Sequence, residues 1–329
     1  MAIVLVTGAA GYIGSVITER LTARGDTPIA LDDFSQGHWD ALPEGVDVVQ
    51  ASLGDAQAVE AVFARRSIEA VVHMAAVSLV GDSVRQPVRY YQQNVANLLP
   101  LLEAMQRHSC RRIVLSSTAA VYGEPARVPI SEECPAVPIN PYGWTKLMCE
   151  QILADVRRAP AETAGFEFVS LRYFNVAGAT QRCAELHHPE THLIPRVLEV
   201  AQGTRPHLEL YGTDYPTPDG TCIRDYIHVA DLAEAHLLAL DHTRRSSGIY
   251  NLGNNRGYSV REVVECAERV TGRKIPLAEH PRRPGDPPQL VASRRKAAEE
   301  LGWRPRLGLE EMIASAWQWR VRHPHGYDR

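Results

Sequence analysis

The chain has 329 residues, which is enough for two domains or for one large α/β unit with an appended lobe. Its 35 basic and 39 acidic residues give a formal net charge of -4, and 45% of the residues are hydrophobic against 22% charged. This balance is typical of a folded globular protein and argues against a disordered chain and against non-specific nucleic-acid binding.

Apolar, β-branched runs recur through the first half of the chain. In chain order they lie at 3–6, 28–31, 70–73, 112–115 and 168–171, with segments of helical spacing between them. Strands that alternate with helices favour a parallel sheet, because each helix returns the chain so that the next strand runs in the same direction. The pattern predicts an α/β fold with a doubly wound parallel sheet of the Rossmann type.

The composition changes after about residue 180, where predicted strands become fewer and Pro, Gly and His denser. This change predicts a first domain over 1–178 and a smaller C-terminal α/β lobe over 179–329. The strongly patterned segment at about 225–243 is expected to pack back on the first domain.

The cysteines and the N-terminus bear on the compartment and the type of site. The six cysteines are widely spaced, with no Cys-x-x-Cys pair and no histidine at ligand spacing. We therefore expect reduced thiols in the cytoplasm, with neither a disulfide framework nor a metal site. The apolar run at 2–6 is far shorter than the ~20 residues of a membrane-spanning helix, and we expect no membrane segment.

A glycine-rich turn joins the first predicted strand to the first predicted helix. Gly8, Gly11 and Gly14 stand three residues apart, and such small residues let a pyrophosphate lie on the exposed N–H groups of a helix start. Asp32 ends the second apolar run, where a carboxylate accepts the hydroxyls of an adenosine ribose and repels a 2′-phosphate. The combination predicts NAD and not NADP. The alternatives are an ordinary tight turn for the glycines and a strand-ending turn for Asp32 and Asp33.

A tyrosine and a lysine follow a predicted helix start. Asn140 and Pro141 are typical of a helix N-terminus, which places Tyr142 and Lys146 on one helical face. A phenol with a pKa of about 10 is a poor base at neutral pH, and a neighbouring ammonium and a positive nicotinamide both favour the phenolate. Lysine is rare here, with three among 35 basic residues. Thr118, just after a predicted strand, could pass a proton towards the tyrosine. The alternatives are an ordinary surface helix for Tyr142 and Lys146, and a plain turn for Thr118.

Taken together, these motifs resemble the extended short-chain dehydrogenase/reductase superfamily, and most closely its UDP-glucose 4-epimerase family. The similarity runs nearly end to end and includes the segments 90–95, 172–175, 224–229, 250–253 and 282–286. It implies that Thr118, Tyr142 and Lys146 are catalytic, that NAD stays bound, that the first domain holds NAD and that the second lobe holds the UDP-sugar. It also implies a homodimer that pairs two helices at about 87–107 and 142–158; the alternative is that the apolar faces of these helices are buried within the chain.

The resemblance assigns residues to each ligand by position. Those implied for NAD are Gly8, Gly11, Tyr12, Ile13, Gly14, Asp32, Asp33, Ser52, Leu53, Met74, Ala75, Ala76, Asn94, Ser116, Tyr142, Lys146 and Tyr173. Those implied for UDP-glucose or UDP-galactose are Thr118, Tyr142, Asn175, His192, Leu193, Tyr211, Arg224, Arg283, Asp286 and Leu290. Arginines suit a diphosphate, because a guanidinium can bind it with two parallel hydrogen bonds.

Several positions depart from the family pattern. Ser52 stands where an aspartate often reaches adenine, Ser78 where a lysine can approach the pyrophosphate, and His192 where asparagine is frequent. Leu290 stands where a bulky tyrosine excludes N-acetyl groups, which implies some activity on UDP-N-acetylglucosamine.

The residues after Thr118 distinguish between related reactions. Dehydratases of this type carry acids there, whereas this chain has Ala119 and Ala120. Without an acid or base to eliminate water, a 4-keto sugar can only be reduced again. This favours epimerisation at C4 of UDP-glucose and UDP-galactose, in galactose metabolism. The alternatives are a 4,6-dehydratase or UDP-N-acetylglucosamine 4-epimerase, or a non-catalytic NAD sensor.

Overall fold

The structure is a computed structural model that describes residues 1–159, 164–187, 189–283 and 286–327. The strands are β1 (Ile3–Thr7), β2 (Thr27–Asp32), β3 (Asp47–Gln50), β4 (Ala70–His73), β5 (Arg112–Thr118), β6 (Glu167–Tyr173), β7 (Asn175–Ala177), β8 (Leu208–Tyr211), β9 (Ile223–His228), β10 (Gly248–Leu252), β11 (Gly257–Ser259), β12 (Leu277–His280) and β13 (Gln289–Leu290).

The helices flank these strands in the chain. They are α1 (Tyr12–Arg24), α2 (Ala56–Arg65), α3 (Val80–Arg85), α4 (Pro87–Tyr91), α5 (Leu98–Arg107), α6 (Pro141–Arg158), α7 (Leu193–Gln202), α8 (Val229–His242), α9 (Val260–Thr271) and α10 (Leu309–Arg322). Short 3₁₀ segments lie at Trp39–Ala41 and Ala119–Tyr122, and π-helical turns at Gln92–Ala96 and Ala297–Leu301. Within the described residues, no helix is both long and apolar enough to cross a membrane.

A parallel sheet of seven strands forms the centre of the fold, in the order β3-β2-β1-β4-β5-β6-β10. The five predicted apolar runs lie in β1, β2, β4, β5 and β6, and the prediction of a doubly wound parallel sheet is confirmed. The order reverses between β1 and β4, and in such sheets ligands bind at this switch point, beyond the carboxyl ends of the strands.

Both faces of this sheet are covered by helices, because successive side chains of a strand point to opposite faces. Val4 and Val6 of β1 pack into one core with residues of α1 and α8. Leu5, between them, packs into a second core with residues of α2, α5 and α6. Strands buried on both sides explain why the sequence shows continuous apolar runs.

A helix and a strand that follow residue 178 are part of the layer structure built on the large sheet. Helix α8 packs beside α1 on one face, and β10 pairs with β6 to form the outer edge. The other late strands form a small sheet in which β9 pairs with β7, β11 and β13, and a two-stranded sheet of β8 and β12. Helices α7, α9 and α10 share a separate core. The division of the chain at residue 178 stays a prediction.

A buried histidine at the end of β4 should make stability depend on acid pH. Nδ1 of His73 lies 2.8 Å from Oγ1 of Thr7, and burial, helped by the nearby Lys146, lowers the pKa of His73 to about 3. The unfolded chain, whose histidines titrate near pH ~6.5, therefore binds more protons than the folded one as the pH falls below that value. We expect His73 to reduce the free energy of unfolding by about 2 kcal/mol between pH 6.5 and pH 5.

Urea unfolding of the His73→Gln variant at several pH values checks this contribution. The variant should show a shallower loss of stability with acid than the unsubstituted chain. His108→Gln is the control, because His108 is an exposed residue that pairs with Glu60. Equal acid dependence in the unsubstituted chain and the His73→Gln variant would contradict the prediction.

Candidate active site

The glycine-rich turn at the switch point leaves no room for larger side chains. Gly8 has a left-handed backbone (φ 67°), and a Cβ there would lie 2.6 Å from the backbone nitrogen of Ala75. A Cβ on Gly14 would lie 2.1 Å from the carbonyl oxygen of Gly8. No described side chain caps the start of α1, and its first turn has no acidic residue. The helix start therefore offers N–H groups to an anion.

Asp32 lies beside this turn at the end of β2. Its side chain is buried, with the residue 7% exposed. Oδ2 accepts the N–H of Ala10 at 2.8 Å, and Oδ1 accepts the N–H of Phe34 at 2.8 Å. Burial raises the pKa of Asp32, and the two backbone hydrogen bonds oppose that rise. The acid is thus held against the glycine turn, as the sequence predicts for a ribose acceptor.

Tyr142 and Thr118 are brought together by the tight packing of α6. The side chain of Asn140 caps the helix by accepting the N–H of Gly143 at 2.9 Å. A Cβ on Gly143 would lie 2.6 Å from the carbonyl oxygen of Ala120, so the first turn of α6 rests directly on the segment after β5. Burial raises the pKa of Tyr142 to about 12, while a hydrogen bond with Thr118 lowers it.

Lys146 is buried one turn after Tyr142. Its Nζ donates to the carbonyl oxygen of Ser116 at 2.8 Å, and burial lowers the pKa of Lys146 to about 8. The structure differs here from the expectation that the ammonium favours the phenolate. The ammonium is directed at a main-chain oxygen of β5, and burial of the phenol dominates. A pKa low enough for a base requires further positive charge at the site.

Other residues predicted to border NAD have protein partners. Ser116 and Tyr173 hydrogen-bond to each other through their hydroxyls, and burial raises the pKa of Tyr173, as does the nearby Tyr142. Asn94 accepts the N–H of Val77 at 2.9 Å and donates to the Val77 carbonyl and to Oγ1 of Thr145, both at 3.0 Å. Asn94 thereby joins the loop after β4 to α6.

The remaining residues predicted for NAD divide between the loops and the core. The hydroxyl of Tyr12 donates to the carbonyl oxygen of Gly178 at 2.6 Å. Ser52 accepts the N–H of Gly54 at 3.2 Å. Six others have simpler surroundings: Ile13 and Leu53 pack in the cores, Asp33 accepts hydrogen bonds from Ser35, and Met74, Ala75 and Ala76 form the loop after β4.

The residues predicted for UDP lie around the small sheet. The guanidinium of Arg283 lies 4.0 Å from the ring centre of Tyr211, and Arg224 forms an ion pair with Asp286. Leu290 is paired in register with Arg224. Pro284 and Gly285, within the segment 282–286, lie outside the described residues.

Asn175 and Leu290 connect this region to Tyr142. Asn175 follows Tyr173 closely in the chain and donates to the carbonyl oxygen of Asp225 at 3.3 Å. Leu290 packs in a small apolar cluster that contains Ala119, next to Thr118. His192 is the residue before α7 and Leu193 its first residue. Leu290 therefore links Arg224 on β9 to the segment that follows Thr118.

Comparison with known proteins decides the family. Residues 4–253, well over half of the chain, match the NAD dependent epimerase/dehydratase family. The chain belongs to the NAD dependent epimerase/dehydratase family. A UDP-glucose 4-epimerase of Halalkalibacterium halodurans is 49% identical over 329 residues, which cover 98% of this chain and 97% of the relative.

Solved structures agree with this member of the epimerase/dehydratase family over nearly its whole length. UDP-glucose 4-epimerase from Bifidobacterium longum, in complex with NAD+ and UDP, has a TM-score of 0.94 at 39% identity and covers 99% of this chain and 100% of its own. The UDP-Glc/GlcNAc 4-epimerase from Campylobacter jejuni has a TM-score of 0.87 at 37% identity and covers 98% of this chain and 100% of its own.

The residues of this epimerase/dehydratase chain fit NAD. The turn of Gly8 and Gly14 forms a cradle that a Cβ would fill, beside an uncapped helix start. Asp32 offers a buried carboxylate at the adjacent strand end. The free N–H groups of the helix start suit a pyrophosphate, and the carboxylate suits the hydroxyls of a ribose. Together they provide the donors and the acceptor that a dinucleotide without a 2′-phosphate requires.

One group of site residues is not predicted from the sequence. Glu150 lies one turn beyond Lys146 on α6, and its Oε2 is 2.5 Å from Nη2 of Arg172 on β6. Its Oε1 also accepts from Oγ of Ser117 at 2.5 Å, and Arg172 donates to the hydroxyl of Tyr122 at 2.9 Å. The only local signal is the spacing of Tyr142, Lys146 and Glu150 by four, which puts three polar side chains on one buried helical face.

Proposed function

We propose that this chain catalyses the reversible epimerisation at C4 of UDP-glucose and UDP-galactose, as an NAD-dependent isomerase of galactose metabolism. The observation that carries the proposal is the hydrogen-bonded pair of Thr118 and the buried Tyr142, with the buried Lys146 one turn further along α6. Thr118 is followed in the chain by Ala119 and Ala120. The pair can move a proton at a sugar hydroxyl. The two alanines supply no acid or base that could eliminate water, which favours epimerisation over dehydration.

The residues at the strand ends support each part of the reaction. Tyr142 takes the proton of the C4 hydroxyl, with Thr118 as the hydrogen-bonded partner, and returns it after the sugar has turned. When bound, NAD supplies the acceptor and donor for the C4 hydride. Arg224, Arg283 and Tyr211 hold the UDP portion away from the reacting carbon, so that the 4-keto sugar can present its other face. Binding energy that is remote from the reacting ring leaves that ring free to rotate.

The direct test is to incubate the purified chain with UDP-galactose, with no cofactor added, and to separate the nucleotide sugars. UDP-glucose should form, and NAD should be released only when the protein is denatured. A deoxy-keto sugar would identify a dehydratase. Bound NAD without turnover of either UDP-hexose would identify a sensor, and either result would overturn the proposal.

The residue at position 290 supports a second substrate. Leu290 packs beside Ala119, Tyr122 and Phe174, and a leucine there lacks the ring that would close the pocket to an N-acetyl group. The structural relative from Campylobacter jejuni is named as an epimerase of both UDP-Glc and UDP-GlcNAc. We therefore propose that the chain also epimerises UDP-N-acetylglucosamine.

Replacing Leu290 with tyrosine should reduce this second activity selectively. We expect turnover of UDP-N-acetylglucosamine to fall by about 10-fold or more relative to UDP-galactose, because a filled pocket rejects the larger group. The conservative Leu290→Met variant is the control and should keep both activities. An unsubstituted chain that turns over UDP-galactose normally and UDP-N-acetylglucosamine not at all would remove the idea.

We also propose that the chain forms a homodimer in the cytoplasm. Val84 of α3 and Val88 of α4 are 63% and 77% exposed, and Trp144 and Met148 of α6 are each 40% exposed. Helices α3 and α4 both contact α6, so these exposed apolar side chains lie on neighbouring helices, where a second copy can cover them. The six free cysteines support a reducing compartment. Light scattering should give twice the chain mass; a monomer at micromolar concentration would contradict the dimer.

A further inference from the structure

The segment between β7 and α7 gathers four side chains that can bind a metal ion. Glu185, His187, Glu190 and His192 each direct one ligand atom at a common centre, and these atoms all lie within 4.8 Å of one another. The residues come from only eight positions in the chain. The segment leads directly into α7, because His192 immediately precedes Leu193, the first residue of this helix.

The spacing of the ligand atoms is that of a small coordination sphere. Nδ1 of His192 lies 2.9 Å from Oε1 of Glu185 and 2.9 Å from Oε1 of Glu190. Nδ1 of His187 lies 3.4 Å from Oε1 of Glu185 and 3.9 Å from Oε2 of Glu190. A tetrahedron with metal–ligand bonds of about 2.0–2.1 Å has edges of roughly 3.3–3.4 Å. The four carboxylate–imidazole separations of 2.9 to 3.9 Å lie on either side of those edges.

Glu190 and His187 each have a buried side-chain atom without a hydrogen-bond partner among the described residues. Both carboxylates of the cluster are buried: the side chains of Glu185 and Glu190 are only 8% and 7% exposed. Oε1 of Glu190 accepts the N–H groups of Thr191 and His192, at 2.7 and 2.8 Å. Its Oε2 and the Nδ1 of His187 are buried and form no such bond. Buried polar atoms are normally paired, so a carboxylate oxygen and an imidazole nitrogen that face each other unpaired indicate a missing partner.

The cluster brings two carboxylates close together inside the protein. The side chains of Glu185 and Glu190 are largely buried, and the imidazoles of His187 and His192 lie against them. A divalent cation bound among the four groups would supply the positive charge that buried carboxylates require.

We propose that Glu185, His187, Glu190 and His192 bind a divalent transition-metal ion of the zinc type. Two imidazole nitrogens and two carboxylate oxygens within one tetrahedral sphere suit zinc, whereas calcium and magnesium prefer six or more oxygen ligands. The protein fills all four positions, so the ion is structural and activates no water. This proposal replaces the expectation of no metal site. That expectation rested only on cysteines, which form no Cys-x-x-Cys pair and have no histidine at ligand spacing.

The ion would hold together the two ends of the segment that leads into α7, because Glu185 and His192 would both bind it. His192 binds through Nδ1, which leaves its Nε2 edge free of the ion, next to Leu193. Removing the ion should therefore loosen the segment 185–193 and lower the melting temperature of the chain.

Metal binding is tested on the full-length chain without a histidine tag. The chain is treated with a chelator, dialysed, mixed with zinc chloride at pH 7.5 and passed through a gel-filtration column, and the zinc that co-elutes is measured by mass spectrometry. We expect about one zinc ion per chain. Cobalt(II) in place of zinc should give the intense visible absorption of a four-coordinate site. A chain that retains no zinc and gives no such absorption would overturn the proposal, without bearing on the epimerase reaction.

Variants assign the ion to these residues. His187→Ala and Glu190→Gln should each lose the zinc, and the zinc-dependent rise in melting temperature should disappear. His108→Ala is the matched control, because His108 forms a similar contact with Glu60 at 2.6 Å, far from the cluster in the chain. Full zinc retention in either cluster variant would place the ion elsewhere and overturn the assignment. Should a variant fail to fold, the zinc and cobalt measurements on the unsubstituted chain still decide.

Discussion

Replacing Tyr142 with phenylalanine is expected to reduce kcat for UDP-galactose by roughly 10²- to 10⁴-fold, the usual contribution of one acid–base group. The substitution removes only the hydroxyl, and the ring keeps its place in the first turn of α6. Thr118 would remain, but an aliphatic hydroxyl is a much weaker acid than a phenol and cannot take over the proton. The measurement is kcat and KM by separation of the nucleotide sugars, with UDP affinity measured by calorimetry.

The matched control for this variant is Tyr90→Phe. The ring of Tyr90 meets that of Tyr142 edge-on, with 6.5 Å between ring centres, and its hydroxyl donates to the carbonyl oxygen of Leu79 at 2.7 Å. Losing that bond should reduce stability by about 1 kcal/mol and leave kcat nearly unchanged. UDP affinity should be similar in both variants. Turnover by Tyr142→Phe at the rate of the control would show that this phenol is not the acid–base group.

Replacing Glu150 with glutamine is expected to reduce the free energy of unfolding by about 3–5 kcal/mol. Glu150 and Arg172 are both almost fully buried, with side chains 3% and 5% exposed. The amide of a glutamine cannot balance the guanidinium, which is left as an uncompensated charge between α6 and β6. Urea unfolding of the full chain, followed by circular dichroism, measures the loss.

An exposed ion pair on the same helix provides the control. Arg157 of α6 lies 2.9 Å from Glu167, and its side chain is 45% exposed. Arg157→Gln should reduce stability by less than about 1 kcal/mol, since solvent screens such a pair. Equal losses of unfolding free energy in Glu150→Gln and Arg157→Gln would contradict the prediction that the buried ion pair contributes more to stability than the exposed one. Glu150 shares a helical face with Tyr142 and Lys146, so kcat should also fall in Glu150→Gln. Glu150 would act as a positioning residue, through its hydrogen bonds to Ser117 and Arg172.

The sequence predicts those parts of the fold in which neighbouring residues share an environment. The runs at 70–73 and 112–115 are largely apolar because β4 and most of β5 are buried on both faces. β3 (Asp47–Gln50) was not predicted, since it is a partly exposed edge strand without a continuous apolar run. β10 was not predicted either, because its place beside β6 depends on a pairing between residues about 80 positions apart, such as Tyr250 and Leu171.

The same distinction holds for the candidate site. The spacing of Gly8, Gly11 and Gly14, and that of Tyr142 and Lys146, is set by one turn or one helix and can be read locally. Contacts between distant segments cannot be read in this way. The metal-binding candidate was accessible in principle, as four ligand-type residues within eight positions. The direction of the pKa shift of Tyr142 was not, because it depends on burial by the whole fold.

The position of β10 bears on how the protein is made. During synthesis the chain leaves the ribosome N-terminus first, and the edge of β6 stays open until residue 252 has emerged. The face that α8 later covers is exposed for the same period. The first 178 residues therefore cannot complete their fold alone, because β10 and α8 come from the later part of the chain. Gene fragments that end near residue 178 would yield an incomplete sheet with an exposed edge and an exposed apolar face, and we expect such fragments to aggregate. Recombination between relatives at that point would separate β6 from β10, two strands that pair with each other.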